Sequence, residues 1–175
     1  MKKFCTLAAF ICGFFIACNS NNTINGQDDP EKAEKDKKIS KRDISITTAN
    51  AYNDLFFDSL SLVDFITKNN LPDSVTRRMI SFYNARNYQY AWFSSNGLTE
   101  QTLGFWNLHN YAIYSGDTSL KDNTLHKTME RIIADSDFTV SSSNKRILNT
   151  ELLLTEHLIE YILDNFEKSS GKVDK

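Results

Sequence analysis

Cysteine is nearly absent from this sequence of 175 residues, and the positions of the few cysteines exclude several kinds of chemistry. The three cysteines are Cys5, Cys12 and Cys18, so none occurs after residue 18. Disulfides, thiolate metal sites and a cysteine nucleophile are therefore excluded from the remainder of the chain. Glycine and proline are also scarce, with six and two residues, and no glycine-rich phosphate loop is present. This scarcity of helix breakers favours a helical protein.

The N-terminus has the features of a bacterial lipoprotein signal. Lys2 and Lys3 precede an apolar run from Phe4 to Ala17 that is short for a transmembrane helix. Ala17 stands directly before Cys18, as at a signal-peptidase site, although Phe15 occupies a position that is usually leucine. We expect a signal peptide at residues 1–17 and a lipidated Cys18 facing the periplasm in the bacterial cell envelope. An uncleaved anchor and an ordinary secretory signal are the alternatives.

Residues 18–42 are predicted to be a disordered tether, because they are polar and charged and contain almost no large apolar side chain. The formal charge of the whole chain is −2, and loss of Lys2 and Lys3 with the signal would make it −4. This mildly acidic balance gives no electrostatic reason to expect a nucleic acid as partner. The oligomeric state is left open.

Residues 43–175 are predicted to form one compact, mostly α multi-helix domain with at most one or two short strands, near Ile44 and Tyr90. Apolar residues recur at spacings of three and four along five segments, each with a capping residue or a turn at its borders. The last segment is apolar around much of its circumference, which indicates a central helix. The five predicted helices are Asp58–Asn69, Asp73–Asn87, Thr99–Tyr114, Asp122–Ala134 and Asn144–Phe166.

Catalytic and metal-binding patterns are weak. His109, His126 and His157 lie on predicted helices without the second ligand motif that a di-iron bundle needs, so we expect partly exposed side chains and no metal or other cofactor. No activated serine motif occurs. A hydrolase needs only two carboxylates and stays open as the weakest hypothesis. The acids available for it are Glu100, Glu151, Glu156 and Glu160.

Aromatic residues concentrate between Phe82 and Leu98, where the sequence is FYNARNYQYAWFSSNGL. Asn96-Gly97 predicts a tight turn at its end. We expect most of these rings to belong to the core, with Arg86 capping carbonyls at a helix end. Tyr90 is the ring expected to be exposed and available to a glycan or peptide in an aromatic groove.

The same segment resembles the N-terminal scaffold domain of murein L,D-transpeptidases. The resemblance rests on two stretches that together span about residues 58–173, the second being Leu152–Leu158 with Tyr161 and Gly171–Val173. The residues that carry it are Phe82, Tyr83, Arg86, Asn87, Tyr88, Trp92, Phe93, Gly97, Leu98 and Thr155. The S-H-G-C-x-R catalytic motif of that family has no counterpart here, so no catalytic residue is carried over.

The resemblance implies an α-rich, non-catalytic module that acts with a domain that cross-links peptidoglycan stem peptides. It would position an L,D-transpeptidase catalytic domain or its peptidoglycan substrate, whether as a fragment, half of a split system or a scaffold-only protein. The alternative is a stand-alone periplasmic lipoprotein that binds glycan or peptide in the aromatic groove.

Overall fold

The computed structural model describes residues 38–170, with side chains up to Asn165. The expected signal peptide, Cys18 and most of the expected tether lie outside the described residues. Five helices and one small hairpin occur in the described part, which confirms the mostly α fold. Their bounds are α1 Ser59–Asn69, α2 Asp73–Ala85, β1 Phe93–Ser94, β2 Gly97–Leu98, α3 Glu100–Tyr114, α4 Asn123–Ala134 and α5 Lys145–Ser170.

Aspartate side chains cap the N-termini of two helices, at the predicted cap Asp58 and at Asp122. The Asp58 carboxylate accepts the amide hydrogen of Leu60, and that of Asp122 accepts from the amides of Thr124 and Leu125. Asp73 was predicted to cap α2, but Pro72 occupies the cap position and Asp73 lies in the first turn. Proline sets a φ near −65° that suits a helix start, so α2 begins without a side-chain cap.

α2 ends at Ala85, two residues before the predicted end at Asn87. Asn87 and Tyr88 adopt positive φ angles of 52° and 59°, which cannot continue a right-handed helix. The Tyr88 amide closes the turn by donating to the carbonyl of Tyr83 at 3.0 Å. The chain therefore reverses at this point and runs back over the core.

The hairpin pairs Phe93 with Leu98 and Ser94 with Gly97. Gly97 has a φ of 116°, and a Cβ there would lie 3.0 Å from the carbonyl oxygen of Phe138. Both facts require glycine at this position. The predicted strand near Tyr90 is reduced to a single bridge between Phe56 and Gln89. The predicted strand at Ile44 is wrong, because Ile44 is exposed and lies in a turn.

α5 is the central helix, as predicted, and packs against α1, α2 and α4. Its inward face combines apolar residues such as Ile147, Leu152 and Leu154 with polar ones that are equally buried. None of the helices in the described residues has the length and apolar character needed to cross a membrane.

Residues 38–43 form an arm without helix or strand that crosses the C-terminal end of α2, and two turns follow it at residues 44–45 and 48–50. Asn84 donates to the carbonyl of Lys38 and accepts from the amide of Ser40, at 2.7 and 3.0 Å. Asn87 exchanges two hydrogen bonds with the backbone of Asp43, at 2.6 and 2.8 Å. The last residues assigned to the tether, 38–42, thus lie against the helical domain.

Replacement of Trp92 by alanine should lower the free energy of unfolding by about 3–5 kcal/mol, because the indole is buried beside Phe105 in the core. Chemical denaturation measures this change. Tyr111→Ala, at a tyrosine that is 68% exposed, serves as control and should shift the free energy by less than about 0.5 kcal/mol. Equal, small effects of both substitutions would show that Trp92 does not pack in the core.

Candidate functional site

The segment from Tyr90 to Phe93 has no helix or wide sheet to satisfy its backbone, yet its polar groups find partners. Asn53 donates through its side chain to the carbonyls of Tyr90 and Phe93, at 2.9 and 2.6 Å. The Tyr90 amide donates to the carbonyl of Leu55 at 3.0 Å. Residues 53–57 therefore secure one side of this segment, as buried backbone requires.

The other side of the segment is held by Glu151 of α5. Its Oε1 accepts from the amide of Ala91 at 2.6 Å and from the hydroxyl of Tyr83 at 3.1 Å, while Oε2 accepts from the amide of Trp92 at 2.9 Å. The side chain of Glu151 is completely buried. One carboxylate thus links the end of α2, the irregular segment and the central helix.

Thr155 extends this link one turn further along α5. Its hydroxyl oxygen accepts from the indole N–H of Trp92 at 2.8 Å and lies 2.6 Å from the Tyr83 hydroxyl. The Thr155 hydroxyl also donates to the carbonyl of Glu151 at 3.2 Å. We call Tyr83, Trp92, Glu151 and Thr155 the buried polar cluster. All four side chains are buried, so the cluster is a fully enclosed hydrogen-bond network.

Burial raises the pKa of Glu151 to about 7, and its hydrogen bonds to Ala91, Trp92 and Tyr83, with the charge of Arg86, oppose that rise. Burial and the neighbouring Glu151 also raise the pKa of Tyr83 well above its usual value. Two amides and the Tyr83 hydroxyl occupy the Glu151 oxygens, so this carboxyl group holds structure. When Glu151 is protonated, the Tyr83 hydroxyl is the partner that can accept its hydrogen bond.

Tyr90 was predicted to be the exposed ring, and this prediction is wrong. Its side chain is completely buried, and its ring meets Phe57 edge to face at 5.7 Å. Tyr83 and Tyr88 contact the same Phe57 ring in the same geometry. Three tyrosines therefore surround one phenylalanine, and burial raises the pKa of the Tyr90 hydroxyl, which has no hydrogen-bond partner.

The histidines were expected to be partly exposed, but His109 and His157 are buried. His109 Nε2 lies 3.0 Å from His157 Nδ1 and 3.1 Å from the carbonyl oxygen of Leu120. The Trp106 ring stacks on His109 with centroids 4.9 Å apart. Burial lowers the pKa of His157 to about 4, and the neighbouring His109 adds to this. His126 is partly exposed, as expected.

The arrangement offers little for metal or acid–base chemistry. Within residues 38–165, no group of three or more histidine, aspartate or glutamate side chains could hold a metal ion. Of the four acids considered for hydrolysis, Glu151 is committed to the buried polar cluster and Glu100 is exposed at the start of α3. Glu156 and Glu160 are half-buried on α5, where burial raises the pKa of Glu156 to about 7.

The residues of the predicted family motif come together around the buried polar cluster. Tyr83, Tyr88, Trp92, Phe93, Gly97 and Thr155 are buried, whereas Phe82, Arg86, Asn87 and Leu98 are half-buried at its edge. Arg86 was expected to cap carbonyls at the end of α2. Its Nη2 instead donates to the carbonyl of Tyr90, at 3.0 Å.

In the sequence analysis, Glu151 is only one of four acids available for hydrolysis. Its position on the last helix is the signal that indicates burial. It lies three and four residues from Leu148, Ile147, Leu154 and Thr155, on the apolar face that the pattern assigned to the core. An acid on such a face is buried and must find donors.

A family model described as the Scaffold domain matches residues 77–174, which is more than half of the chain. The chain belongs to the Scaffold domain family. The match covers the buried polar cluster, and it confirms the resemblance to the scaffold domain of L,D-transpeptidases. The match supports a non-catalytic scaffold role. No curated protein and no solved structure matches the chain.

Glu151→Gln should remove a pH dependence from the stability of this Scaffold domain. With a folded-state pKa of about 7 against a usual 4.5, the folded protein holds a proton that the unfolded chain releases. The free energy of unfolding contributed by this group therefore falls as pH rises from 4.5 to 7, by up to about 1.4 kcal/mol per pH unit. Denaturation of both proteins at several pH values measures the difference.

The comparison between wild type and variant is needed because other groups titrate in the same range. Glu156 acts with the same sign as Glu151, whereas His157 and His109, with lowered pKa values, destabilise the fold as pH falls. Glutamine supplies only one acceptor oxygen, so the variant should be less stable than wild type by about 1–3 kcal/mol near pH 4.5. This deficit should shrink as pH rises towards 7, because only the wild type loses stability over that range. A pH-independent difference between the two proteins would contradict the assignment.

Proposed function

We propose that this Scaffold domain protein is a lipid-anchored, non-catalytic module of the L,D-transpeptidase type. It positions a catalytic domain, or the peptidoglycan substrate of that domain, at the periplasmic side of the cell envelope. The observation that carries the proposal is the family match over residues 77–174, combined with the buried polar cluster inside that range.

A positioning module needs rigid geometry, and the cluster supplies it. Ala91 and Trp92 are bound through their amides to Glu151, and the carbonyl of Trp92 accepts from the amide of Thr99 at 3.0 Å and from the Thr102 hydroxyl. The irregular segment is thus fixed to α5 and to the start of α3 at once. Buried networks that are satisfied in this way restrict a chain to one conformation.

The proposed anchor rests on the sequence around Cys18. Acylation there would attach the module to a membrane, and the residues between Cys18 and the arm at residue 38 would span up to several tens of ångströms. This reach would let the domain meet the cell wall while it stays attached.

The alternative of a glycan or peptide groove built on Tyr90 has lost its central residue, since that ring is buried. The hydrolase alternative has lost Glu151, whose oxygens accept three hydrogen bonds. No specific observation therefore favours the groove built on Tyr90 or the hydrolase that uses Glu151.

Incubation of the purified protein with peptidoglycan sacculi, followed by muropeptide analysis, tests the proposal. We expect no new cross-linked and no newly hydrolysed muropeptides from the protein alone, and cosedimentation with sacculi or with an added L,D-transpeptidase catalytic domain. Glu151→Ala, which leaves buried donors without an acceptor, should weaken cosedimentation by disordering the segment. Glu100→Ala, at an exposed acid, is the matched control and should bind like wild type.

Cross-linking or hydrolysis by the protein alone would overturn the non-catalytic assignment. Absence of binding to both sacculi and catalytic domain would overturn the positioning role. Mass spectrometry of the N-terminal peptide tests whether Cys18 is acylated. An unmodified Cys18 in the mature protein would contradict the proposed lipid anchor.

A further inference from the structure

A cavity of about 570 Å³ opens beside the buried polar cluster, and no part of the proposed function uses it. It lies between the end of α2, the irregular segment and the start of α3. We call it the Arg86 cavity. Its lining includes Tyr52, Phe82, Arg86, Trp92, Gln101 and Phe105.

The guanidinium of Arg86 is the only charged group among the residues that line this cavity. Its Nη2 donates to the Tyr90 carbonyl at 3.0 Å, and its Nε is enclosed without an acceptor. No carboxylate of the described residues forms an ion pair with it at hydrogen-bonding distance. The Phe82 ring, 5.4 Å from its central carbon, supplies only a weak contact. The charge of Glu151 acts on Arg86 from inside the buried polar cluster. The Glu151 oxygens already accept three hydrogen bonds, so the half-buried guanidinium has no carboxylate bound directly to it.

A second positive feature meets the same cavity. Thr99 and Gln101, at the N-terminus of α3, belong to its lining. No side chain caps this helix of 15 residues, because the Thr99 hydroxyl donates to the carbonyl of Ala91 instead. The amides at the N-terminal end of α3 therefore add partial positive charge on this side of the cavity, and the exposed Glu100 in the first turn offsets part of it.

The rest of the cavity is apolar with one exposed ring. Phe82, Trp92, Phe105 and Leu158 provide apolar and aromatic surface. Tyr52 stands at the cavity with its side chain fully exposed, so its ring is available to a ligand. An exposed aromatic ring above an apolar pocket is a common feature of ligand sites.

We propose that the Arg86 cavity binds the free C-terminal carboxylate of a short peptide. The planar carboxylate matches the fork of the guanidinium, and its single negative charge matches the single cation of the lining. Small aliphatic side chains of the peptide lie on the apolar surface, and the Gln101 amide pairs with its backbone. A phosphate dianion fits less well, because the cavity holds one cation.

This inference deepens the positioning role in the proposed function, because it names the chemistry of a ligand that the module would hold. It stands on the cavity itself and does not require a peptidoglycan origin of the peptide. Failure of sacculus binding would therefore leave it intact, and its own failure would leave the positioning of a catalytic domain intact.

A titration of the purified protein with N-acetyl-Ala-Ala, followed by NMR of the indole N–H signals, tests the proposal. The Trp92 indole lines the cavity, so its signal should move, whereas Trp106, which stacks on His109, should not. The C-terminal amide of the same peptide should bind at least about tenfold more weakly, because it carries no charge for Arg86. Inorganic phosphate and N-acetyl-D-Ala-D-Ala complete the set of probes.

Variants separate a binding role of Arg86 from a structural one. Arg86→Gln should abolish the preference for the acid over the amide, and Arg86→Lys should retain part of it through its charge. Tyr52→Ala changes an exposed side chain, so it should leave the melting temperature unchanged and weaken peptide binding severalfold. Tyr114→Ala, at a tyrosine that is 90% exposed, is the matched control and should bind like wild type.

Several results would overturn the proposal. Equal affinity for the acid and the amide would show that the carboxylate is not recognised. Tighter binding of phosphate than of either peptide would assign the cavity to a different anion. A Trp92 signal that stays in place, or a folded Tyr52→Ala protein that binds as well as wild type, would show that the ligand lies elsewhere. A preference for the D-peptide over the L-peptide would support the proposal and indicate peptidoglycan as the source.

Discussion

Removing a carboxylate from water costs free energy, and Glu151 is completely buried in the second turn of α5, the longest helix of the described residues. Its position is tolerable because three donors converge on it, two of them amides of a segment that forms no helix or wide sheet. The dependence is mutual, since those amides would otherwise be buried without acceptors. This exchange fixes the course of the chain at Ala91 and Trp92.

The irregular segment is held from both sides. Glu151 and Thr155 fix the irregular segment on one side, and Asn53 fixes it on the other. Phe57 fills the space between three tyrosine rings beneath it. The described residues contain no cluster of histidine, aspartate or glutamate side chains that could hold a metal ion. The Arg86 cavity opens beside this segment, and no carboxylate of the described residues pairs directly with its cation.

The helices and the central position of α5 were predictable, because apolar periodicity and capping residues are local signals. The early end of α2 was not predictable. Asn87 and Tyr88 have positive φ angles, and their hydrogen-bond partners, Asp43 in the arm and Phe57, are distant in the sequence. The expectation that Tyr90 is exposed fails for a related reason. The segment contributes only a single bridge, and residues 53–57 and Glu151, both distant in the sequence, enclose it on two sides. The pairing of Glu151 with residues 60 positions away leaves no local trace beyond an acid on an apolar face.

Native-state hydrogen exchange at the amides of Ala91 and Trp92 tests the central role of Glu151 most directly. If Glu151 holds the segment, these two amides should exchange only when the whole domain unfolds, with the same free energy as the amide of Leu154 in the middle of α5. The Glu151→Gln variant should let at least one of them exchange by local opening. Fast exchange of both amides in the wild-type protein, while Leu154 stays protected, would contradict this account.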